Sequence, residues 1–419
     1  MIKKESGVGW ILGIILWLVL QNACAQTLPD PSQFPGLVKL RKNVILRPDS
    51  QALTRFFVTL DSLVMHQHRK VNILHIGDSH IQADFFSGRV RELFHNQPQF
   101  GNGGRGFIFP YGLAKTTDAI DVKMESPGNW KGCRSISETS SCHWGLAGMV
   151  ASTSDSVADL CLKIPNKGQY AMDKLTLFCP PHVSDEYEWV SNMNQDALKA
   201  FGYSKRTGGF SFNLDGLSQE CKMVWNRKPS ATLPFVLQGC WLENSSPGIV
   251  YSSLGVNGAE ASSFLRCPDL QKQVRFIQPD LVIISLGTND AFSRNFAPET
   301  FYKNIGELVQ RIKMASPDAD ILFTTPGDNL LGKKYLNRRN DLARQQIMKL
   351  AEETGAGVWD FYSIMGGLGS VKNWVKNGLA KNDKVHLTIK GYKLQGDLLY
   401  LALTQQYLDY KLSRLSALK

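Results

Sequence analysis

The chain has 419 residues, 43% of them hydrophobic, which is enough apolar material for more than one core and makes two domains the natural expectation. Its formal charge is +10 at pH 7, without any long run of consecutive lysines and arginines. A generally basic, solvated surface accounts for that excess, and the lack of a dense basic run argues against nucleic acid as a partner.

The N-terminus has the pattern of a secretory signal. Lys3 and Lys4 precede an apolar stretch from Val8 to Leu20, and Ala23-Cys24-Ala25 supplies a small-residue cleavage site. The stretch is too short and wrongly flanked for a retained membrane span, and no later stretch is long and apolar enough for one. We therefore predict that residues 1–25 are a signal peptide, cleaved after Ala25.

Cys24 offers a second interpretation of the same segment. Leu20 lies four residues before it, as in signals whose cysteine receives a lipid anchor, although Gln21 and Asn22 fit such a signal poorly. Either interpretation predicts an exported protein that is periplasmic, associated with the cell envelope or secreted. Without the two lysines and one glutamate of the signal the charge is +9, which suits an anionic envelope or a polyanionic glycan.

The first α/β elements follow the signal. Helical spacing of apolar residues from Leu53 to Leu63 predicts a packing helix, and the apolar run from Val71 to Ile76 predicts a strand buried on both faces. That strand ends in Gly77-Asp78-Ser79, before a second helical pattern. Ser79 is thus expected at a strand-to-helix turn on the carboxyl edge of the sheet, beside free N–H groups, where a nucleophile is well placed. A plain turn whose Asp78 or Ser79 caps the helix is the alternative.

A glycine-rich segment from Gly101 to Gly106 comes next, and we expect it to form a loop at the rim of the site. It lacks the Lys and Ser or Thr that end a phosphate-binding glycine loop. Beyond Tyr111 the chain changes to short alternating runs bounded by turn residues, which predict an all-β sandwich. We place this inserted domain at residues 113–246, between α/β parts at 26–112 and 247–419.

Tryptophans recur through the predicted insert, and flat aromatic faces suit sugars. The insert lies between the Ser79 turn and the later block Gly255–Ala259. We therefore expect both junctions of the insert on the side of the sheet that carries those two loops. In that position the domain would overhang the site, and exposed tryptophans would bind a glycan. Core packing of each tryptophan, in a passive sandwich, is the alternative. The candidates are Trp130, Trp144, Trp189, Trp225 and Trp241.

Six of the eight cysteines fall in the insert, and an exported protein permits disulfides. The nearness of Cys133 and Cys142 in sequence makes them the first candidate pair, while other connectivities stay open. Cysteines in strand centres are equally compatible with buried thiols. Their spacing is not that of zinc ligands, and we expect neither a metal nor another cofactor.

Two further blocks supply hydrogen-bond donors. Gly255-Val256-Asn257-Gly258-Ala259 offers the backbone N–H of Gly258, and Asn289 follows a doubly buried strand from Pro279 to Ser285. Together with the N–H of Ser79, these groups are candidates to hold an oxyanion. The remaining pattern alternates between helices and strands and predicts a three-layer, flavodoxin-like parallel sheet. Its predicted elements are helix 299–314, strand 320–324, helix 340–353, strand 358–361 and a closing helix over 388–407.

Asp383 and His386 lie three residues apart in one loop before the closing helix. A carboxylate at that spacing holds an imidazole by Nδ1 and leaves Nε2 free to accept a serine proton. His75, within a strand, and His80 are treated as structural.

The order of these blocks resembles the SGNH/GDSL hydrolases. Gly77-Asp78-Ser79-His80, the Phe100–Phe107 segment, Gly255–Ala259 and Asp383–His386 with Gly391-Tyr392 are more particularly similar to bacterial peptidoglycan O-acetylesterases. The resemblance covers roughly residues 36 to 112 and 247 to 407, and not the insert residue by residue. It implies a hydrolase that carries an inserted carbohydrate-module-like β domain and removes acetyl groups from muramic acid in the envelope.

The resemblance implies acyl transfer to water with Ser79 as nucleophile, His386 as base and Asp383 as the residue that orients it. The N–H groups of Ser79 and Gly258 and the Asn289 amide would hold the oxyanion. The expected partner is an acetylated glycan, most simply peptidoglycan. The alternatives are an acetylesterase or acetyltransferase acting on another polysaccharide, and a glycan-binding protein whose hydrolase site is idle.

Overall fold

The structure is a computed structural model that describes residues 33–137, 139, 142–165, 169–191 and 198–417. The predicted signal at 1–25 and Cys24 lie outside these residues. Within the described part of the chain, no helix is both long enough and apolar enough to cross a membrane.

A seven-stranded sheet forms the middle layer of the α/β part. Its strands are β1 (Ile45–Leu46), β2 (Lys70–Gly77), β3 (Asn102–Gly104), β4 (Gly248–Gly255), β5 (Leu281–Ser285), β6 (Asp320–Thr324) and β7 (Gly357–Trp359). Their order across the sheet is β1-β7-β6-β5-β2-β4-β3, and every pair is parallel except β1 with β7. The carboxyl ends of β2, β4 and β5 therefore meet at one edge.

The strands are apolar runs because both faces of the sheet are covered. In β5, Leu281 and Ile283 join the core on one face, and Val282 and Ile284 join the core on the other. This alternation follows from the two-residue period of a strand. It confirms the doubly buried strand that the sequence predicted.

Helices cover the two faces and complete the predicted three-layer architecture. Helices Thr54–His66, Phe85–His95 and Ile389–Ala417 share one core, and helices Ala261–Leu265, Leu270–Ile277, Pro298–Ala315 and Arg339–Thr354 share the other. The predicted strand at 358–361 is shorter than expected because Asp360 caps a helix, accepting a hydrogen bond from the N–H of Ser363 at 3.3 Å. The helices are α1 (Thr54–His66), α2 (Ser79–Gln82), α3 (Phe85–His95), α4 (Ala261–Leu265), α5 (Leu270–Ile277), α6 (Thr288–Phe292), α7 (Pro298–Ala315), α8 (Arg339–Thr354), α9 (Phe361–Met365), α10 (Val371–Lys376) and α11 (Ile389–Ala417).

Antiparallel sheets lie between β3 and β4 in the sequence, as expected of an inserted β domain. The four-stranded sheet contains Lys123–Glu125, Val157–Lys163, Tyr187–Ser191 and Glu220–Arg227. The five-stranded sheet contains Gly106–Ile108, Met172–Phe178, Leu198–Ser204, Gly209–Ser218 and Gly239–Glu243. The three-stranded sheet contains Lys131–Arg134, Met149–Thr153 and Phe235–Leu237, and a short helix spans His182–Glu186. Gly106–Ile108 is the first strand of these antiparallel sheets in the sequence, and it precedes the predicted domain boundary at residue 113.

The glycine-rich segment is not the predicted rim loop. It forms β3 at the edge of the parallel sheet and the strand Gly106–Ile108 of the insert, so it connects the two kinds of sheet. A Cβ atom on Gly104, whose φ is +129°, would lie 2.6 Å from the Cα of Glu243. Glycine is needed there because one backbone crosses closely over another.

The expectation that both junctions of the insert lie beside the site loops is wrong for the returning junction. The chain re-enters the α/β part at Gly248, which pairs with Lys70 at the amino end of β2. Because β4 is parallel to β2, it has to start at the amino edge, opposite the edge where Ser79 follows β2.

The tryptophans of the insert are part of its core, which is the packing alternative. Four of them are no more than 5% exposed: Trp130, Trp144, Trp225 and Trp241. Trp189 is half-buried, with its ring 5.0 Å from those of Phe212 and Trp225. These five side chains therefore do not form an open platform for a sugar.

The structure confirms the first candidate disulfide, between Cys133 and Cys142. The other described cysteines are free thiols. Cys179, Cys221, Cys240 and Cys267 are buried, and Cys161 is half-buried. Burial raises the pKa of the Cys221 thiol to about 12, which keeps it protonated and unreactive.

Four buried charges join the α/β part to the insert. Arg105 binds Asp84 at 2.9 Å and Asp121 at 2.7 Å, and Arg91 contacts the same two carboxylates. All four side chains are at most 4% exposed. Burial by itself would raise the pKa of Asp84, but Arg91 and Arg105 hold it well below its usual range. Asp84 is therefore charged at neutral pH, although it is buried.

Replacing Arg105 by methionine should lower the free energy of unfolding by about 3–5 kcal/mol, because it leaves two buried carboxylates with one guanidinium. Urea unfolding at neutral pH measures this loss. The matched control is Arg55→Met, which removes an ion pair with Asp318 whose side chains are 62% and 91% exposed. The control should cost less than about 1 kcal/mol. Equal losses in the two variants would contradict a special role for the buried cluster.

Candidate active site

Ser79, His386 and Asp383 form a continuous hydrogen-bonded chain. The distance from Ser79 Oγ to His386 Nε2 is 2.9 Å, and His386 Nδ1 lies 2.9 Å from Asp383 Oδ2. Ser79 is half-buried, and the side chains of His386 and Asp383 are 35% and 38% exposed. The three side chains meet as a nucleophile, a base and its orienting carboxylate would, at a surface that solvent reaches.

Local backbone structure places the serine. Ser79 is the first residue of α2, directly after β2, and Asp78 caps that helix by accepting a hydrogen bond from the N–H of His80 at 2.9 Å. The cap predicted as an alternative to the nucleophile is therefore present together with it. Asp78, and not Ser79, caps the helix, so the hydroxyl of Ser79 stays available to His386.

A tight turn places the Asp383–His386 pair. The Oδ1 atom of Asp383 accepts hydrogen bonds from the N–H groups of Val385 and His386, at 2.9 and 3.0 Å. Burial alone would raise the pKa of Asp383, but those two bonds and the His386 ring lower it below its usual value. The carboxylate is therefore charged at neutral pH and fixed in orientation.

The Gly258 loop lies beside the serine because β4 is the neighbour of β2. Gly255 pairs with Gly77, and a Cβ on Gly255 would approach the N atom of Gln82 to 2.3 Å. Gln82 secures this contact, since its side chain accepts a hydrogen bond from the N–H of Asn257 at 2.8 Å. Gly258 itself is exposed, and its N–H donates to no acceptor among the described residues.

Asn289 reaches the same edge from the other neighbour of β2. Ser285, the last residue of β5, pairs with Gly77, and Asn289 follows in α6. Its Nδ2 donates to the carbonyl of Ala259 at 2.9 Å and lies 3.4 Å from Asp78 Oδ2. The first bond fixes the amide, and the second is long enough to leave one hydrogen weakly engaged.

The pKa values of two buried carboxylates, Asp78 and Asp290, are shifted in the opposite direction from that of Asp383. Burial raises the pKa of Asp78 to about 7. Burial also raises the pKa of Asp290 to about 7, and Glu260 and Asp78 contribute to that rise. Both acids therefore keep a proton to higher pH than an exposed carboxyl does, in contrast to Asp383, the pKa of which is lowered.

The two histidines treated as structural have different surroundings. His75 is buried in the sheet, where its ring nitrogens bond Tyr251 at 2.9 Å and Ser285 at 2.7 Å. His80 instead stacks on His386, with ring centroids 5.2 Å apart and an angle of 29° between the rings. This contact was not predicted from the sequence, although the position of His80 directly after Ser79 was a signal for it.

A small cavity of about 30 Å³ lies beneath the site, lined by Asp78, His80, Ser285, Val385 and Leu387 among others. It has room for one or two water molecules. It is too small for a sugar.

The insert contacts the site through the Gly258 loop. Arg134 donates to the carbonyl of Asn257 at 3.3 Å, and a Cβ on Gly258 would lie 3.7 Å from Ile136. Thr116 accepts a hydrogen bond from the Asn257 amide at 3.3 Å. Thus the insert reaches the candidate oxyanion site with Arg134, Ile136 and Thr116 rather than with its tryptophans.

The chain has an SGNH-like three-layer fold, at one edge of which a serine, an Asp–His pair, a glycine N–H and an asparagine amide converge, and this makes it similar to ester hydrolases of the GDSL type. Residues 233–394 match the family model described as GDSL-like Lipase/Acylhydrolase family. That match contains Gly258, Asn289, Asp383 and His386, whereas Ser79 lies before it. No curated protein matches the chain in sequence.

Among solved structures, the chain is similar to a peptidoglycan O-acetylesterase with a TM-score of 0.70 and 23% identity, over 87% of this chain and 99% of that one. The match is long enough to take in both the α/β part and the insert. A lipase/acylhydrolase from Enterococcus faecalis aligns over 38% of this chain and 77% of its own, with a TM-score of 0.31 and 21% identity. The acetyl xylan esterase AlAXEase aligns over 38% and 81%, with a TM-score of 0.30 and 18% identity.

Asp290→Asn should change how stability depends on pH. The folded-state pKa of Asp290 is raised from 3.8 to about 7, so the stabilisation that this carboxyl contributes is fully present below pH 3.8 and is lost as pH rises through about 7. Asparagine does not titrate and keeps an oxygen acceptor for the N–H of Ala261. We therefore expect the variant to gain on the wild type by roughly 2–4 kcal/mol between pH 4 and pH 8. Urea unfolding of both proteins across this range checks the sign, and a constant difference would contradict the raised pKa.

Proposed function

We propose that this protein is an exported serine O-acetylesterase that removes acetyl groups from a glycan of the cell envelope, most simply peptidoglycan. The observation that carries the proposal is the Ser79–His386–Asp383 chain, with 2.9 Å at both contacts, on a fold that aligns over 87% of its length with a peptidoglycan O-acetylesterase. The basic N-terminus, its apolar stretch and the Ala23-Cys24-Ala25 site support export.

In the proposed first half-reaction, the Ser79 oxygen attacks the acetyl carbonyl while His386 Nε2 takes the hydroxyl proton. Asp383 stabilises the resulting imidazolium through Nδ1. The tetrahedral oxyanion accepts hydrogen bonds from the N–H groups of Ser79 and Gly258 and from the Asn289 amide. When it collapses, the ester bond to the sugar breaks and the imidazolium returns its proton to the sugar oxygen.

The second half-reaction uses the same groups in reverse. His386 takes a proton from water, the oxygen of which attacks the acetyl group on Ser79. Collapse of the second tetrahedral species breaks the bond to Ser79 and returns the proton to the serine oxygen, which releases acetic acid. The balance is one ester and one water consumed, and one sugar hydroxyl and one acetic acid formed.

The openness of the site supports a polymeric substrate. His386 and Asp383 are more than one third exposed, and Gly258 is exposed. A small acyl group on a long chain reaches such a surface without the whole substrate entering a pocket. The insert, through Arg134 and Ile136, contacts the Gly258 loop where the rest of the glycan would extend.

An acetyltransferase is the second candidate, because the same three side chains pass acetyl to a sugar hydroxyl in place of water. The open surface around Ser79 favours this second candidate, since it leaves room for an acceptor sugar as well. Analysis of products from a donor and an acceptor glycan separates the two reactions: free acetate identifies the esterase, and an acetylated acceptor identifies the transferase.

Ser79→Ala and His386→Ala should each reduce acetate release by at least about 10⁴-fold, because each removes a member of one proton-transfer unit. Both side chains project from loop ends, so the melting temperature should stay close to that of the wild type. Asp383→Asn should retain slightly more activity than either. Acetate release from a panel of acetylated glycans, together with a short-chain aryl acetate, is the measurement. Near-wild-type turnover by purified Ser79→Ala would remove the nucleophile assignment.

Asn289→Ala tests the oxyanion assignment separately. Loss of one donor to the oxyanion should lower kcat by about 10²- to 10³-fold with little effect on KM. Asn289→Asp serves as the control of equal size, since it fills the same space and replaces the donor by an acceptor. If the aspartate variant kept full activity, the amide would not be a donor in the reaction.

Arg134→Ala should weaken turnover of a polymeric acetylated glycan and spare a small aryl acetate. The expected effect is a five- to tenfold rise in KM for the polymer, on the order of one lost hydrogen bond. Lys131→Ala is the matched control, because Lys131 is an exposed cation of the same strand. Equal effects of both variants would indicate a general charge effect, and equal loss on both substrates would indicate disturbance of the Gly258 loop.

A further inference from the structure

His80 touches both the base of the site and the helix that follows it. Its ring stacks on His386 at 5.2 Å, and its Nδ1 lies 2.9 Å from the hydroxyl of Tyr392 on α11. Tyr392 is 4% exposed, packs edge-on against His80 at 5.8 Å and stacks on Phe85 at 6.5 Å. The ring of His80 is therefore held by Tyr392, a side chain that is itself packed into the core.

His80 also belongs to the nucleophile element. It follows Ser79 in α2, and its own N–H is bound by the Asp78 cap at 2.9 Å. The same residue thus links the turn that carries the serine to the turn that carries His386. A ring at this position fixes the imidazole of His386 relative to the Ser79 hydroxyl.

We propose that His80 is a positioning residue for His386: its ring, oriented by Tyr392, forms the surface on which the catalytic imidazole is held in line with Ser79 and Asp383. This inference rests on the proposed role of His386 as the base. In this role His80 acts through His386.

The electrostatics of His80 suit this role. Burial lowers its pKa to about 3, with a further contribution from His386 and Lys381 that outweighs the opposing effect of Asp383. A neutral ring does not repel the imidazolium that forms on His386 during the reaction. Its π face also attracts a neighbouring cation. A charged residue in the same place would oppose that protonation.

The test measures kcat and KM on an aryl acetate for His80→Ala, His80→Phe and Tyr392→Phe. His80→Ala removes the stacking surface and should lower kcat by about 10²-fold, the usual cost of a catalytic group misplaced by about 1 Å, while KM changes less than about twofold. His80→Phe keeps a neutral ring and should restore kcat to within about tenfold of wild type. Tyr392→Phe should give a loss of similar size to that of His80→Phe.

A double-mutant cycle separates positioning from general stability. His80→Phe and Tyr392→Phe remove the two ends of one hydrogen bond, so the double variant should lose no more kcat than the worse single variant. Tyr410→Phe is the control, because it deletes a hydroxyl that is bonded to Arg414, farther along the same helix. It should leave kcat unchanged, and melting temperatures of all variants show which are folded.

Reaction of Ser79 with a sulfonyl fluoride gives a readout independent of turnover. A wild-type protein that neither releases acetate nor is labelled at Ser79 would disprove the proposed function, and the role of His80 would fall with it. If the wild type is active and labelled, folded His80→Ala should be labelled about 10²-fold more slowly. Wild-type kcat and labelling in folded His80→Ala would overturn the positioning role alone, as would a His80→Phe variant no better than His80→Ala.

Discussion

The site depends on the register of three parallel strands. Gly77 pairs with Gly255 on one side and with Ser285 on the other, so β2, β4 and β5 end at the same level. Parallel pairing sends all three chains out of the sheet at one edge. Ser79, Gly258 and Asn289 therefore emerge side by side, although the insert separates the first from the second in the sequence. Only the Asp383–His386 turn has to be brought to this edge from elsewhere.

The insert makes that register harder to maintain, since the sheet must close around a long excursion of the chain. Two features compensate. The returning strand β4 pairs along the full length of β2, from Lys70 with Gly248 to Gly77 with Gly255. The buried ion cluster then joins Asp84, between α2 and α3, to Asp121 of the insert through shared arginines. An arrangement that separated these charges would leave one of them buried without a partner, which is strongly destabilising. The cluster therefore favours one arrangement of the α/β part and the insert.

Local patterns predicted most of the fold and the candidate site. The doubly apolar strands, the glycine that ends β2 and the three-residue spacing of Asp383 and His386 are all readable within a few residues. Features that depend on long-range packing were not. The ring of His80 finds His386 only when α2 and the last loop meet. The tryptophans have the same composition signal whether they face solvent or the core, and the choice depends on which faces the antiparallel sheets bury. The prediction for the returning junction was wrong because β4 runs parallel to β2 and so has to start at the opposite edge of the sheet.

Asp78, Asp290 and Asp383 are all aspartates near the site, but their different surroundings shift their pKa values in different directions. Asp78 and Asp290 are buried, and their pKa values are raised to about 7, so at neutral pH they serve as partly neutral supports of the backbone. Asp383 is more than one third exposed, yet two backbone N–H groups and the imidazole lower its pKa. It remains charged where it faces His386. Because its charge is stabilised by hydrogen bonds and not by enclosure, the triad does not need a closed pocket. An open surface around His386 is therefore compatible with a charged carboxylate beside the imidazole.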